Sequence, residues 1–327
     1  MEGEEKILVN YTCKICGNTE NNLIYVVKEM QFGTRDKFNY CQCSNCFCLQ
    51  IIDTPKNLTD YYPNNYFSFQ KERTFFLKEW LNTKRDKYVF GQKNYIGKIL
   101  YKIYGEPTYS NWLNNLNINF KSKILDVGCG SGSLLYRMGN AGFKKVMGID
   151  PFINESIEYK NGVKIHKKNL FELNEKYDLI MMHHSLEHLP NQIEIFEKLN
   201  QLLNKKGYLL IRIPICSSKA WEKFREDWFA LEAPRHFFIH SEKSINLIAN
   251  KCGFKLKKVT YDSRSIQFWG SIQYQKDIPL MAENSYFIDP KKSIFTKDEI
   301  IEFENETIRL NINGGADQAV LYFEKMN

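Results

Sequence analysis

The chain has 327 residues, of which 43% are hydrophobic, 14% aromatic and 25% charged, with a formal net charge of +7. That much apolar side chain excludes a disordered, collagen-like or fibrous polymer, and the length suggests about two domains. The basic excess is spread along the chain, which favours a solvated surface over a nucleic-acid partner.

The first residues, Met1-Glu2-Gly3-Glu4-Glu5-Lys6, have neither a cationic start nor an apolar segment, and no apolar run approaches the roughly 18 residues of a membrane helix. A cytoplasmic protein without a membrane span is expected. Six of nine cysteines fall between positions 13 and 48, and in a chain with no export signal such a cluster points to a metal more than to disulfides. Residues 1–52 read as a zinc ribbon. Cys13-Lys14-Ile15-Cys16 and Cys43-Ser44-Asn45-Cys46 are two C-x-x-C turns flanking strand-like sequence, and four thiolates so placed suit the tetrahedral preference of zinc. Cys41 and Cys48 lie two residues outside the second pair and are rival ligands.

Residues 53–117 read as a helical cap or linker. Tyr61-Tyr62-Pro63-Asn64-Asn65-Tyr66-Phe67 precedes apolar positions at helical spacing through Phe75, Phe76, Trp80 and Leu81, and a second helix is expected through Tyr88, Tyr95, Ile96, Leu100 and Ile103. Aromatic residues at such spacing are mostly core. A tyrosine of this stretch, Tyr62, is the candidate for lining a ligand pocket.

From 118 to 327 strands and helices alternate. Strands are expected at 123–127, 145–150, 177–182, 208–213, 254–261 and 318–323, with helices at 133–140, 193–203 and 244–252. This pattern predicts an α/β fold with a parallel sheet, whose ligands bind beyond the carboxyl ends of the strands. The stretch 262–316 is longer than a sheet connection requires and is expected to shape an acceptor pocket.

Directly after the first of these strands comes Asp126-Val127-Gly128-Cys129-Gly130-Ser131-Gly132, and Asp150 ends the next strand. Glycines allow a sharp turn close to a ligand, and an acid about 20 residues on can take both ribose hydroxyls. An adenosine cofactor follows. A dinucleotide would bring pyrophosphate to the helix N-terminus, where Asp126 would repel it. S-adenosylmethionine, cationic and phosphate-free, suits an aspartate there, and the G-x-G-x-G spacing also departs from the dinucleotide pattern.

These residues resemble the class I S-adenosylmethionine-dependent methyltransferases. Leu125 to Gly132 look like their first motif, Gly148-Ile149-Asp150-Pro151 like the ribose motif, and Tyr177 to Ile180 with Ser185 to Pro190 like the fourth-strand region. The resemblance covers roughly residues 120–260 and implies a Rossmann-like seven-stranded sheet, with Gln318 to Phe323 as its antiparallel last strand. It also implies that Asn169 and Leu170 contact the adenine. The cysteine ribbon, Tyr61-Tyr62-Pro63, Trp228 and Pro234-Arg235-His236 resemble a zinc-ribbon subgroup linked to bacterial sugar and surface-polysaccharide modification, and are similar to C-methyltransferases of deoxysugar biosynthesis. Phe47 stands where those ribbons usually have glycine.

Methyl transfer to a hydroxyl needs a base, and histidine suits that role. His236 is the first candidate and His188 the second, with Arg235 beside His236 to hold an anionic group and Trp228 to stack on a sugar face. His183 is expected to wall the cofactor site. His184-Ser185-Leu186-Glu187-His188 also matches the H-x-x-E-H pattern of zinc peptidases, which requires a long helix and a third ligand. The expected activity is methylation of a small polar acceptor, foremost a sugar or nucleotide-sugar oxygen. A keto-sugar carbon, an RNA, and a non-catalytic binding role are the alternatives. The oligomeric state is not legible.

Overall fold

In a computed structural model of the chain, residues 8–62 and 76–326 are described, with the side chains of residues 8, 9 and 76 excepted. The aromatic positions Tyr66, Phe67 and Phe75 named above lie outside the described residues. Among the described residues no helix is long and apolar enough to cross a membrane.

The chain begins with four strands, β1 (Leu8–Val9), β2 (Asn22–Lys28), β3 (Lys37–Gln42) and β4 (Leu49–Ile51), and then helices α1 (Phe76–Val89), α2 (Tyr95–Tyr104) and α3 (Thr108–Leu113). The second predicted helix is divided. Tyr88 closes α1, Gly91 takes φ +81°, and Asn94 caps α2 by accepting from the Gly97 N–H, the arrangement expected of an N-cap. The expectation that this spacing marks core also needs correcting. Tyr95 is 88% and Ile103 64% exposed, whereas the enclosed group is Asp86, which accepts from Arg137 Nε and Nη2 and from the Tyr109 hydroxyl.

Then follow β5 (Lys123–Val127), α4 (Ser133–Ala141), β6 (Lys145–Ile149), β7 (Ile157–Glu158), β8 (Lys164–His166), β9 (Tyr177–His183), α5 (Gln192–Leu202), β10 (Leu203–Pro214), α6 (Lys219–Phe224), β11 (Phe238–Ile239), α7 (Glu242–Lys251), β12 (Phe254–Tyr261), α8 (Ile266–Gln275), α9 (Lys297–Asn313) and β13 (Gln318–Lys325). The second sheet has the order β12-β13-β10-β9-β5-β6-β8-β7. β5 lies parallel to both β6 and β9, and β8 parallel to β6. The sheet has eight strands where seven were expected, because the two-residue β7 adds an antiparallel edge to β8. Ile124, Leu125, Leu179 and Ile180 on its central strands are fully buried, as a sheet covered on both faces requires.

The chain divides into two compact units. One comprises Met1–Pro63, Leu186–Phe196 and Ile211–Leu321, and the other Asn64–Ser185, Glu197–Leu210 and Tyr322–Asn327. In the first unit β1 to β4 form an antiparallel sheet completed by β11, which pairs with β4. The 262–316 stretch supplies α8 and α9 to this unit.

Candidate active site and metal centre

The candidate metal centre of the first unit is built by two matched turns. Gly17 donates its N–H to Cys13 O and Phe47 donates to Cys43 O, both at 2.9 Å. Both residues adopt the left-handed conformation, φ +77° and +62°. Phe47 thus takes a backbone conformation that favours glycine. The sulfurs of Cys13 and Cys46 are 3.6 Å apart, those of Cys16 and Cys43 3.5 Å, and all four lie within 4.8 Å of one another. A tetrahedral ion at about 2.3 Å from each thiolate would space them by about 3.8 Å. The donor set therefore fits zinc. Cys41 and Cys48, the rival ligands, are not in this group, and the Gln50 amide donates to Cys13 Sγ at 2.9 Å as an outer support.

In the other unit, β5 delivers the glycine-rich turn. Gly128, Gly130 and Gly132 take φ of +73°, +54° and +78°. A Cβ at Gly128 would meet Ser185 Cβ at 2.5 Å, and one at Gly132 would meet Ile165 Cδ1 at 2.3 Å, so glycine is required there. Asp150 Oδ2 accepts from the Gly130 N–H at 2.9 Å and Oδ1 from the Phe152 N–H at 2.8 Å, which fixes the carboxylate against the turn. Asp126 is buried, and its Oδ1 has no hydrogen-bond partner. Burial first, and the neighbouring Asp150 second, push its carboxyl up to about 8. An enclosed carboxylate oxygen lacking a donor fits the ammonium group of an amino-acid ligand. Of the other cofactor candidates, Pro151 is exposed, Cys129 is half-buried and Leu170 is buried. His183 ends β9 with its ring 4.5 Å from that of Trp112. Asn169 caps a short turn, accepting from Phe171 N while Glu172 accepts from Asn169 N.

The candidate bases belong to the first unit. Glu187 and His188 lie in a single turn of 3-10 helix, Leu186–His188, and not on the long helix a zinc-peptidase motif needs. His188 and His236 stand edge to face with ring centroids 4.7 Å apart. His188 Nδ1 is 2.9 Å from Arg235 O, and His236 Nδ1 is 2.9 Å from Ala230 O. A carbonyl only accepts, so each Nδ1 carries the hydrogen and Nε2 is the basic nitrogen. Burial, then His236, lowers His188 to about 4, which keeps it neutral. Tyr62 Oη is 3.4 Å from His188 Nδ1. Glu232, at φ +39°, places Oε2 3.9 Å from His236 Nε2.

Arg235 and Trp228 are enclosed. Arg235 Nη2 pairs with Glu29 Oε1 at 3.1 Å with both side chains fully buried, and Nη1 donates to Tyr61 O. Trp228 Nε1 donates to Asp317 Oδ2 at 3.0 Å. Both hold loops in place, whereas a group for an acceptor would be turned outward. Sequence reasoning placed Glu187 only in the H-x-x-E-H pattern and passed over Glu29 and Glu232. Glu232 lay four residues before His236, but Glu29 is 206 residues from its partner, and no local signal could have found it.

The sheet and the glycine-rich turn make an α/β fold of the methyltransferase kind, and the turn with Asp126 and Asp150 suits S-adenosylmethionine. Residues 101–259 match the family model described as "Methyltransferase domain". A tRNA U34 carboxymethyltransferase of Campylobacter fetus is 26% identical over 192 residues, covering 53% of this chain and 64% of that protein. A ubiquinone biosynthesis O-methyltransferase of Haemophilus ducreyi is 33% identical over 108 residues, covering 28% and 45%. Among solved structures, a cyclopropane synthase from Mycobacterium tuberculosis is similar with a TM-score of 0.44 and 14% identity, over 78% of this chain and 100% of that one. The chain spans between about a third and just under two thirds of the length of the first curated relatives it matches. Neither curated relative named here carries a sugar or polysaccharide in its name, and one is named for tRNA.

Proposed function

We propose that the chain is an S-adenosylmethionine-dependent methyltransferase acting on a small polar acceptor, a sugar or nucleotide-sugar hydroxyl. The observation that carries this reading is the paired imidazoles of His188 and His236, each with its tautomer set by a backbone carbonyl so that Nε2 can take a proton. When bound, the cofactor supplies a methyl group activated by positive sulfur. Asp126 would hold its ammonium, Asp150 its ribose hydroxyls, and the glycine turn would admit it closely. His236 would take the acceptor's proton, with His188 and Tyr62 positioning the oxygen. A carbon beside a keto group could be deprotonated by the same imidazoles. In this reading residues 1–52 serve as a zinc ribbon, 53–117 as a cap and 262–316 as part of the acceptor pocket.

The names of the Campylobacter relatives support a second reading, a tRNA nucleoside as acceptor. The test is release of S-adenosylhomocysteine with a panel of nucleotide-sugars beside unmodified tRNA. Turnover on a nucleotide-sugar, with His236→Gln lowering kcat by about 100-fold or more, is the expected result. Turnover on tRNA alone, with affinity falling steeply as salt rises, would replace the first reading by the second.

A further inference from the structure

Glu187, His188 and His236 bring three potential ligand atoms together: a ring nitrogen of each histidine and a carboxylate oxygen of Glu187 lie within 4.8 Å of one another. Two further features suit them to a cation. The first is the tautomer. Both Nδ1–H groups point at backbone carbonyls, which leaves Nε2 to coordinate, and metal-binding histidines are commonly oriented by such a bond from the far nitrogen. The second is charge. Glu232 places a second carboxylate 3.9 Å from His236 Nε2, and although the same Oε2 is also 3.9 Å from Arg235 Nε, the Arg235 charge is balanced by its fully buried pair with Glu29.

We propose that Glu187, His188 and His236 form a second metal site, separate from the four thiolates, for a divalent cation of borderline character such as Zn2+ or Co2+. Two imidazoles and one carboxylate match the preferences of such ions, and they leave coordination positions for water or an acceptor oxygen. Its consequence rests on the reading of His236 as base. A cation on Nε2 occupies the lone pair that removes the acceptor's proton, so occupancy and proton removal exclude each other. Turnover then falls as the free cation rises.

The test uses the full chain with its thiolate site loaded with zinc, titrated with Co2+. The expected result is one further equivalent, with weak visible absorption and no thiolate-to-cobalt band in the near ultraviolet. Two strongly shifted, exchangeable imidazole N–H signals should appear in the proton spectrum of the unaltered protein. Affinity should fall by at least about 10-fold in Glu187→Gln and in His188→Gln. Absence of a second equivalent, a thiolate band showing that zinc was merely displaced, or absence of the shifted N–H signals overturns the proposal. Because the spectra report on the unaltered chain, misfolding of a variant cannot decide the matter. Cobalt bound with these signatures but without effect on turnover keeps the metal site and removes His236 as base. Turnover that depends on His236, with no cobalt bound, does the reverse.

Discussion

Asp126 shows how one residue can carry a function and mislead about its charge. From its place near the end of β5 the sequence predicts a standing anion facing the cofactor. Burial instead pushes its carboxyl up to about 8, so near neutral pH the side chain is mostly protonated until a cation arrives. Binding of S-adenosylmethionine should therefore release close to one proton and tighten as pH rises through about 8. Calorimetry in buffers of different ionisation enthalpy would measure both. Asp126→Asn should weaken binding by about 10- to 100-fold, the range of a lost charge-assisted hydrogen bond. For the ligand-free protein the sign is opposite. A carboxyl raised on folding contributes stability that is complete below its unfolded pKa and is lost as pH rises through about 8, so the urea midpoint of the unaltered chain should fall relative to that of Asp126→Asn between about pH 5 and 8. Phe47 offers a second residue-scale prediction. A bulky side chain in the left-handed region costs about 1–2 kcal/mol, and its ring is 49% exposed. Phe47→Gly should keep bound zinc and leave stability unchanged or raised by up to about 1 kcal/mol, read by denaturant unfolding.

Among the elements, the segment between β2 and β3 is the most tightly specified. Glu29 accepts from the backbone N–H groups of Gln31, Phe32, Gly33 and Thr34 while it pairs with Arg235. Removing one member of a buried pair leaves the other charge stranded, at about 3–5 kcal/mol. Glu29→Gln should destabilise the chain by that order, and Glu29→Gln with Arg235→Met should recover part of it, both followed by urea titration. This element also marks where legibility ended. The helices at 133–141, 192–202 and 242–251 were read within a residue or two, since each has an apolar face of regular period and Ser241 caps the third. Gly128, Asp150 and the cysteine turns were readable because each depends on neighbours a few positions away. Arg235 was not, because its side chain is claimed by a carboxylate from the far end of the sequence. The exposed face of α2 failed for a related reason: apolar spacing reports a face, not what covers it.

At the scale of the whole molecule, His240 ties distant segments together. Fully buried, it meets Gln192 Oε1 at 3.1 Å through Nε2 and Ser244 Oγ at 2.9 Å through Nδ1. Burial lowers it to about 3. A histidine depressed in this way takes up a proton on unfolding, so stability is lost as pH falls below the ordinary histidine range, by about 1.4 kcal/mol per pH unit for one proton. The urea midpoint of the unaltered chain should therefore fall relative to that of His240→Gln as pH is lowered from 7 to 5, a difference that cancels the opposite contribution of Asp126. The pairing of β4 with β11 has a consequence of another kind. Tyr40 donates to His236 O from 196 residues away, and Ser241 donates to Cys46 O from 195. During synthesis the cysteine turns leave the ribosome long before the strand that closes their sheet has been made. Until then β4 presents a bare edge, which other nascent chains could pair with. An excised amino-terminal fragment would keep that edge permanently and should aggregate even when saturated with zinc.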